Sequence, residues 1–362
     1  MIFLGAGASK IFGIKTLQEM SMDLVKIMEK KGYGAIVGKI TENLQRFGIT
    51  PDFEAIYTIV EGLTNLRQAV RNSGSLTAYV SKDIEEVKPK RDLKELPQLF
   101  RDFLYEECKL KPGYHESIES VYDRLFEIMK NSGVHEKRYI AGVEPGKEPS
   151  IGADLTIVTT NYDMIIESYH MMKGQPYADG FKQTLERPLL KEIDLTTYSY
   201  ARRRWLIKLH GCIWQYRYND NVFKTNEDPK KISSFPVKIQ EQMMIYPTGE
   251  KPILQYPYYD FYNIFKTQKW HKLIAIGYSF RDDPVNIAIL ENLERVEHSN
   301  LIVVNPEPEK AVKNLEVSAK SNYRIIPVEG EFGNEEVFKK LEVALKVKSK
   351  NRYNVRLAEL HD

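Results

Sequence analysis

The sequence predicts an α/β fold: a doubly wound parallel sheet of about six strands with an inserted helical module. Three observations predict it. Short apolar runs end abruptly at Gly, Asn, Pro or His, amphipathic helical patterns lie between several of these runs, and a long helix-rich stretch follows the first run. Because strands that alternate with helices form parallel sheets with right-handed crossovers, the pattern favours a sheet with helices on both faces.

Six runs rich in Ile, Val or Leu are the predicted buried strands. They occupy residues 2–4, 155–158, 206–209, 273–276, 301–304 and 324–328. Each run is too short for a helix and stops at a residue that favours a turn. We therefore expect all six in one sheet.

Helix signals are clearest after the first predicted strand. Thr16 and Glu19 have capping-box spacing, and Gly32 can end the helix that they begin. A second helix is predicted to begin at Thr50-Pro51, with Pro51 at its first position. Further helical pattern covers residues 93–108 and 117–130.

The spacing of the strands predicts the domain organisation. Roughly 150 residues separate the first two predicted strands, whereas a crossover needs about a dozen. The predicted parts are a sheet domain at 1–32 and 151–334, an inserted helical module at 33–150 that ends in a loop at 134–150, and a C-terminal helix and tail at 335–362. The Pro-, Lys- and Tyr-rich stretch 224–257 is predicted to be irregular.

Composition excludes several function classes. The 52 Lys and Arg residues nearly balance the 50 Asp and Glu residues, so no dedicated nucleic-acid surface is predicted. No uncharged apolar stretch reaches the ~18 residues that cross a bilayer, so we expect a soluble cytoplasmic protein that does not bind membranes. Cys108 and Cys212 cannot form a disulfide framework or a cysteine zinc site, and no metal is expected.

Small or polar residues follow five of the predicted strands. Because ligands of open parallel sheets bind beyond the carboxyl ends of the strands, these residues predict one shared site. They are Gly5, Ala6, Gly7, Ala8 and Ser9, then Thr160, Asn161 and Asp163, then His210, then Gly277 and Ser279, and finally Asn305.

Each of these signals also has a plain structural interpretation. The loop 5–9 can be an ordinary Gly-rich turn, since Lys10 stands where a dinucleotide fingerprint has its third glycine. Asn161 or Asp163 can cap a helix, and His210 can be a buried core histidine. The carboxylates of 281–284 are predicted to cap a helix rather than to bind a metal.

Taken in order, four motifs resemble the sirtuin-like family. They are Gly-Ala-Gly-Ala-Ser at 5–9 with Gly13-Ile14, Thr-Thr-Asn-Tyr-Asp at 159–163, Lys-Leu-His-Gly at 208–211, and Ile-Gly-Tyr-Ser-Phe-Arg-Asp-Asp at 276–283. The resemblance implies a Rossmann-like sheet that binds NAD. Within the family, the chain looks most like the prokaryotic NAD-hydrolase branch associated with antiphage defence.

The resemblance also implies a role for each candidate residue. Asn161 and Asp163 would hold the nicotinamide end and a water molecule, and His210 would act on a ribose hydroxyl or on that water. The binding set would be Gly5, Ala6, Gly7, Ala8 and Ser9 at the pyrophosphate, Gly277 and Ser279 at phosphate or ribose, Asn305 at the adenosine ribose, and Thr16 and Thr160. Lys15-Thr16 departs from the Pro-x-Phe-Arg of sirtuin deacylases.

The activity that this resemblance implies is hydrolysis of NAD, as substrate, to nicotinamide and ADP-ribose, in antiphage defence by NAD depletion. The alternatives are an NAD-dependent protein deacylase or ADP-ribosyltransferase, and a non-catalytic NAD or ADP-ribose sensor. The two cysteines cannot supply the four-cysteine zinc module of the deacylases. The implied partners are further copies of the chain, as a homo-oligomer, and a ring-forming DNA-translocase-type ATPase.

Overall fold

A computed structural model of the chain describes residues 1–72, 95–133, 155–183, 190–200, 204–218, 221–225, 228, 241–245, 256–316 and 324–347. The predicted loop 134–150 and the tail beyond residue 347 lie outside these residues. Eleven strands lie in the described parts: β1 Ile2–Leu4, β2 Leu155–Thr159, β3 Phe181–Gln183, β4 Leu190–Ile193, β5 Arg204–Lys208, β6 Gly211–Tyr218, β7 Asn221–Thr225, β8 Glu241–Met244, β9 Lys272–Ile276, β10 Asn300–Asn305 and β11 Ile325–Glu329.

Six of these strands form one parallel sheet in the order β11-β10-β9-β1-β2-β5. These are the six strands predicted from the sequence, so the doubly wound, Rossmann-like fold class is confirmed. β1 lies at the centre, where Phe3 is in register with Val158 of β2 and Ala275 of β9. The carboxyl ends of β1, β2, β5, β9 and β10 therefore meet along one edge.

A second sheet was not predicted. It is antiparallel, in the order β3-β4-β7-β6-β8, and it includes parts of the stretch 224–257. The prediction of irregular structure is therefore wrong for β8 and for the end of β7. The polar residues Lys224 and Thr225 are both buried in β7. The strand therefore lacks the alternation of apolar and polar residues by which a half-buried strand is recognised in a sequence.

Some helices cover the two faces of the parallel sheet, and others form a helical layer beside it. They are α1 Ala6–Ser9, α2 Leu17–Lys30, α3 Gly34–Arg46, α4 Phe53–Asn72, α5 Leu96–Glu107, α6 His115–Asn131, α7 Ile165–Met172, α8 Thr197–Tyr200, α9 Tyr258–Thr267, α10 Asp283–Arg295, α11 Pro308–Glu316 and α12 Glu335–Lys346, with a 3₁₀ turn at Lys10–Phe12. The predicted capping box of Thr16 and Glu19 is confirmed at the start of α2. No helix in the described ranges has the length and apolar character to cross a bilayer.

Two helix predictions need correction. α3 was not predicted, and α4 begins at Phe53 rather than at Pro51. The side chain of Asp52 accepts a hydrogen bond from the backbone N–H of Ala55 at 3.0 Å, so Asp52 takes the capping position that the Pro signal had placed earlier.

The parallel sheet has a packed core on each face. Successive residues of β1 point to opposite faces: Phe3 packs with α9, α10 and α11, while Ile2 and Leu4 pack with α6, α7 and α12. Helices α2 to α5 form most of a third apolar cluster, which also includes Tyr162, Met164 and residues of β6 and β8. α6, although it lies within residues 33–150, thus packs on the sheet, and the domain boundaries stay predictions.

Candidate functional site

A cavity of about 860 Å³ opens at the carboxyl edge of the parallel sheet. This volume is typical of small-molecule sites. Eleven of the thirteen predicted site residues line the cavity, whereas Gly5 and Ala8 do not. The lining set is Ala6, Gly7, Ser9, Thr16, Thr160, Asn161, Asp163, His210, Gly277, Ser279 and Asn305. The structure brings these residues together, and the role of each stays a prediction.

The glycines of the loop after β1 allow two backbones to touch. Gly5 N–H donates to the carbonyl of Ile276 at 2.9 Å, and Gly7 N–H donates to that of Gly277 at 3.0 Å. A Cβ on Gly7 would lie 2.8 Å from Gly277 Cα, and Gly277 itself has a φ of +61°. The glycines therefore have a packing role, and Ala6, Gly7 and Ser9 are left to face the cavity.

Asn161 is oriented by the same loop. Its Nδ2 donates to the carbonyl oxygen of Gly5 and to Ser9 Oγ, both at 2.9 Å. Ser9 Oγ in turn donates to Asp163 Oδ2 at 2.7 Å. Because both amide hydrogens of Asn161 are engaged, the side-chain group that it can offer a ligand is the Oδ1 acceptor.

Asp163 accepts a hydrogen bond from the following helix as well as from Ser9. Its Oδ1 accepts from the backbone N–H of Ile165, the first residue of α7, at 3.1 Å, an Asx turn that precedes the N-cap residue Met164. Burial raises the pKa of the Asp163 carboxyl, although the nearby Lys208 ammonium and the Ser9 hydroxyl oppose that shift. The buried Asp163 carboxyl group is therefore hydrogen-bonded to the same Ser9 hydroxyl that Asn161 contacts.

Lys208 contacts the backbone of the segment that carries Asn161 and Asp163. Its Nζ donates to the backbone carbonyl of Asp163 and lies 3.5 Å from that of Asn161. It also lies 3.3 Å from Glu167 Oε1, and both side chains are buried. Sequence reasoning missed this contact, although a lysine inside a buried strand, two residues before His210, was a signal for a buried partner.

Glu167 continues this contact into a buried charge cluster. Lys224 Nζ lies 2.9 Å from Glu167 Oε1 and 2.8 Å from Asp179 Oδ2. Burial disfavours the charge on Glu167, but Lys208 and Lys224 hold the pKa of its carboxyl below the usual range. Likewise, the two carboxylates overcome burial and keep the pKa of Lys224 well above its ordinary value.

His210 lies at the turn after β5, in the wall of the cavity. The side chain is 5% exposed, and its Nε2 is 2.8 Å from Asp282 Oδ2, the distance of an ion pair without hydrogen-bond alignment. Asp282 Oδ1 accepts from the backbone N–H of Val285 at 3.4 Å at the start of α10, so the predicted helix cap is confirmed. The imidazole is buried, yet it borders the same space as Asn161.

The remaining predicted residues are tied to neighbouring backbone or side chains. Asn305 Oδ1 accepts from the N–H of Glu307 at 2.9 Å. The hydroxyl of Thr16 is engaged with Glu19 in the capping box, at 2.9 Å. The backbone N–H of Thr160 donates to the carbonyl of Leu4 at 3.4 Å. A ligand would therefore meet these residues in positions that the fold has already set.

The polar groups around the cavity do not form a metal site. No cluster of three or more His, Cys, Asp or Glu suited to a metal ion exists in the part of the chain that the structure describes. Cys108 and Cys212 are both buried, and burial raises the pKa of each thiol. Among the predicted site residues, the side chains that the cavity offers for chemistry are amide, carboxylate, hydroxyl and imidazole groups.

Comparison with known proteins gives a family match. Residues 155–326, a little under half of the chain, match the family model described as the SIR2-like domain, which supports the sirtuin-like resemblance. No curated protein matches the chain. The match does not separate branches of the family.

Several solved structures are also similar to the chain, and three of them are Sir2 homologues with bound ligands. One is a Sir2 homologue carrying three substitutions, in complex with 2'-O-acetyl ADP-ribose (15% identity, 96% of this chain and 94% of that chain covered, TM-score 0.41). Another is a Sir2 homologue mutant in complex with ADP-ribose (16%, 96% and 93%, 0.37). The third is a Sir2 homologue in complex with NAD (15%, 95% and 90%, 0.35).

Proposed function

We propose that the protein, whose residues 155–326 match the SIR2-like domain model, is an NAD⁺ glycohydrolase, which hydrolyses the nicotinamide–ribose bond to give nicotinamide and ADP-ribose. One observation carries the proposal. The Asn161 amide and the His210 imidazole, although 49 positions apart in the chain, line one cavity beside the turn that holds Ser9.

The proposed chemistry uses only groups that the cavity contains. Cleavage of a glycosidic bond passes through an oxocarbenium-like state, with positive charge at the anomeric carbon. A water molecule attacks that carbon, and the electron pair of the broken bond returns to the nicotinamide nitrogen. Asn161 Oδ1 accepts a hydrogen bond from the attacking water and orients it, and His210 takes the proton that the water loses.

The rest of the dinucleotide would extend along the same edge of the sheet. Ala6, Gly7 and Ser9 would contact the pyrophosphate, supported by Gly277 beside them. Asn305 would contact the adenosine ribose, because it lies at the end of β10 on the far side of β9. This order follows the order of the strands, so an extended ligand can reach all of these residues at once.

The cysteine content distinguishes this proposal from deacylation. A deacylase of this family needs a four-cysteine zinc module to help form its peptide groove, and the whole chain has two cysteines. With no peptide acyl oxygen in place, water takes the position of the nucleophile. We therefore favour hydrolysis over deacylation or ADP-ribosyl transfer. Because a pure sensor has no need of the amide and imidazole pair, we also favour catalysis over sensing.

The biological setting is proposed from the sirtuin-like resemblance alone. We infer a cytoplasmic enzyme that depletes NAD in antiphage defence and assembles with itself, with a ring-forming DNA-translocase-type ATPase as a second partner. Helices within residues 33–150 would offer the assembly surface. Size-exclusion chromatography of the chain alone and with its neighbouring gene products checks this inference, and a monomer under every condition would contradict it.

Product analysis tests the activity. Purified full-length chain is incubated with NAD alone, and the products are separated by chromatography. We expect nicotinamide and ADP-ribose in equal amounts. Nicotinamide release that requires an added acylated peptide or protein acceptor would replace the proposal with deacylation or transfer, and NAD binding without turnover would replace it with sensing.

A further inference from the structure

We propose that Asp282 is a positioning residue for His210, forming an Asp–His pair that orients the imidazole and stabilises its charge when it accepts a proton. This inference rests on the proposed NAD hydrolysis and adds a residue that the sequence motifs had assigned only to a helix cap. Asp282 and His210 are 72 positions apart in the chain and meet only through the fold.

The two oxygens of Asp282 face different partners. Oδ1 accepts from the backbone N–H of Val285 at the start of α10, at 3.4 Å, whereas Oδ2 lies 2.8 Å from His210 Nε2. The cap fixes the side chain at one oxygen, so the other has a set direction. Asn286 stiffens the same turn, because its Nδ2 donates to the carbonyl of Phe280 at 2.9 Å. Asp282 Oδ2 is therefore held in one position beside the imidazole.

Burial gives this contact more weight than a surface pair would have. The side chains of His210 and Asp282 are 5% and 3% exposed, so little water screens the charge between them. Capping alone does not need a carboxylate, since Asn and Ser cap helices as well as Asp does. A carboxylate buried beside an imidazole in the wall of a cavity is typical of a functional site.

The pair has a defined part in the reaction. A carboxylate oxygen 2.8 Å from Nε2 repels a lone pair on that nitrogen even without an aligned hydrogen bond, so it favours the tautomer whose hydrogen is on Nε2 and leaves Nδ1 to accept a proton. When the water oxygen bonds to the anomeric carbon, the bond to nicotinamide breaks with its electron pair on the ring nitrogen, and the proton of the water moves to His210. Asp282 keeps its negative charge and stabilises the imidazolium that results.

Kinetics of two matched variants test the pair. Asp282→Asn keeps a capping side chain but removes the charge facing His210, and Asp283→Asn removes a charge one residue away, on an exposed side chain. We expect Asp282→Asn to lower kcat by about 10²-fold, with KM and Tm unchanged, and Asp283→Asn to behave as wild type. Wild-type kcat in Asp282→Asn, or an increase in KM alone, would overturn the proposal.

A spectroscopic measurement applies even if Asp282→Asn fails to fold or the wild type does not turn over NAD. In ¹⁵N-histidine-labelled wild type, the signals of His210 are identified by their loss in His210→Gln. We expect the neutral ring to carry its hydrogen on Nε2. The Nδ1-protonated tautomer would overturn the Asp282 proposal. Absence of NAD turnover in the wild type, with the expected tautomer, would instead refute the proposed hydrolysis and leave the pair intact.

Discussion

Replacing Lys224 by methionine tests how much the buried charge cluster contributes to stability. Lys224 Nζ lies within 2.9 Å of carboxylate oxygens of both Glu167 and Asp179, and all three side chains are buried. Methionine fills a similar volume but leaves the two carboxylates without this cation. Lys208 remains 3.3 Å from Glu167, so Asp179 loses most.

The expected effect follows from the cost of an uncompensated buried charge. Removing one partner of a buried ion pair destabilises a protein by about 3–5 kcal/mol. A chain of 362 residues loses about 0.8 kcal/mol of stability per degree near its Tm. We therefore expect Lys224→Met to lower Tm by about 4–6 °C.

Thermal unfolding of three variants provides the measurement. Lys191→Met is the matched control, because Lys191 also faces Asp179, but at 3.9 Å and with a partly exposed side chain. It should cost less than about 1 kcal/mol. The double variant Lys224→Met/Asp179→Asn should recover more than half of the loss, because the orphaned carboxylate is removed. Equal losses in Lys224→Met and Lys191→Met, or no recovery in the double variant, would refute the reasoning.

Three further predictions follow from single residues. Burial lowers the pKa of His170 to about 4, so the contribution of its neutral imidazole to folding stability is fully present above pH 6.5 and is lost as pH falls towards 4. In urea titrations over this pH window, the wild type should lose on the order of 3 kcal/mol more folding stability than His170→Phe. Burial raises the pKa of Asp163, so stability falls as pH rises through that pKa; in urea titrations Asp163→Asn should be more stable than the wild type at pH 7 but not at acidic pH, while its NAD turnover falls. Gly277→Ala places a Cβ 2.3 Å from Ala8 N at a φ of +61° and should cost at least about 2 kcal/mol by urea midpoint, more than Gly48→Ala, whose φ is +72° but whose Cβ has open space; equal losses in the two would contradict the packing role of Gly277.

The parallel sheet could be predicted because its signals are local. Each strand is a short apolar run that ends at a turn residue, and both faces of the sheet are covered, so no alternation was needed to find it. The antiparallel sheet gave no such signal. Its strand β7 buries Lys224, and this lysine is stable there only because Glu167 and Asp179 reach it from other parts of the chain. No local pattern reports a partner 45 or 57 positions away.

The same distinction separates the site residues that were found from those that were missed. Asn161 and His210 stand at strand ends, and parallel topology places such ends together before any side chain is seen. Lys208 contacts the backbone of Asn161, and Asp282 contacts the imidazole of His210. Neither contact can be inferred from the order of the strands. Asp282 carried a clear cap signal, and the cap is real, but one oxygen of a carboxylate can cap while the other faces a distant imidazole.

Turnover of NAD by Asn161→Ala tests the central claim most directly. The control is Asn292→Ala, which deletes the amide of a buried residue. Asn292 Nδ2 donates to the carbonyl of Gln268, and Asn292 is not among the residues lining the cavity. With folding confirmed by Tm, we predict that Asn161→Ala loses at least about 10²-fold in kcat for nicotinamide release, while Asn292→Ala keeps wild-type kcat. Wild-type turnover by Asn161→Ala, or an equal loss in both variants, would contradict the proposed site.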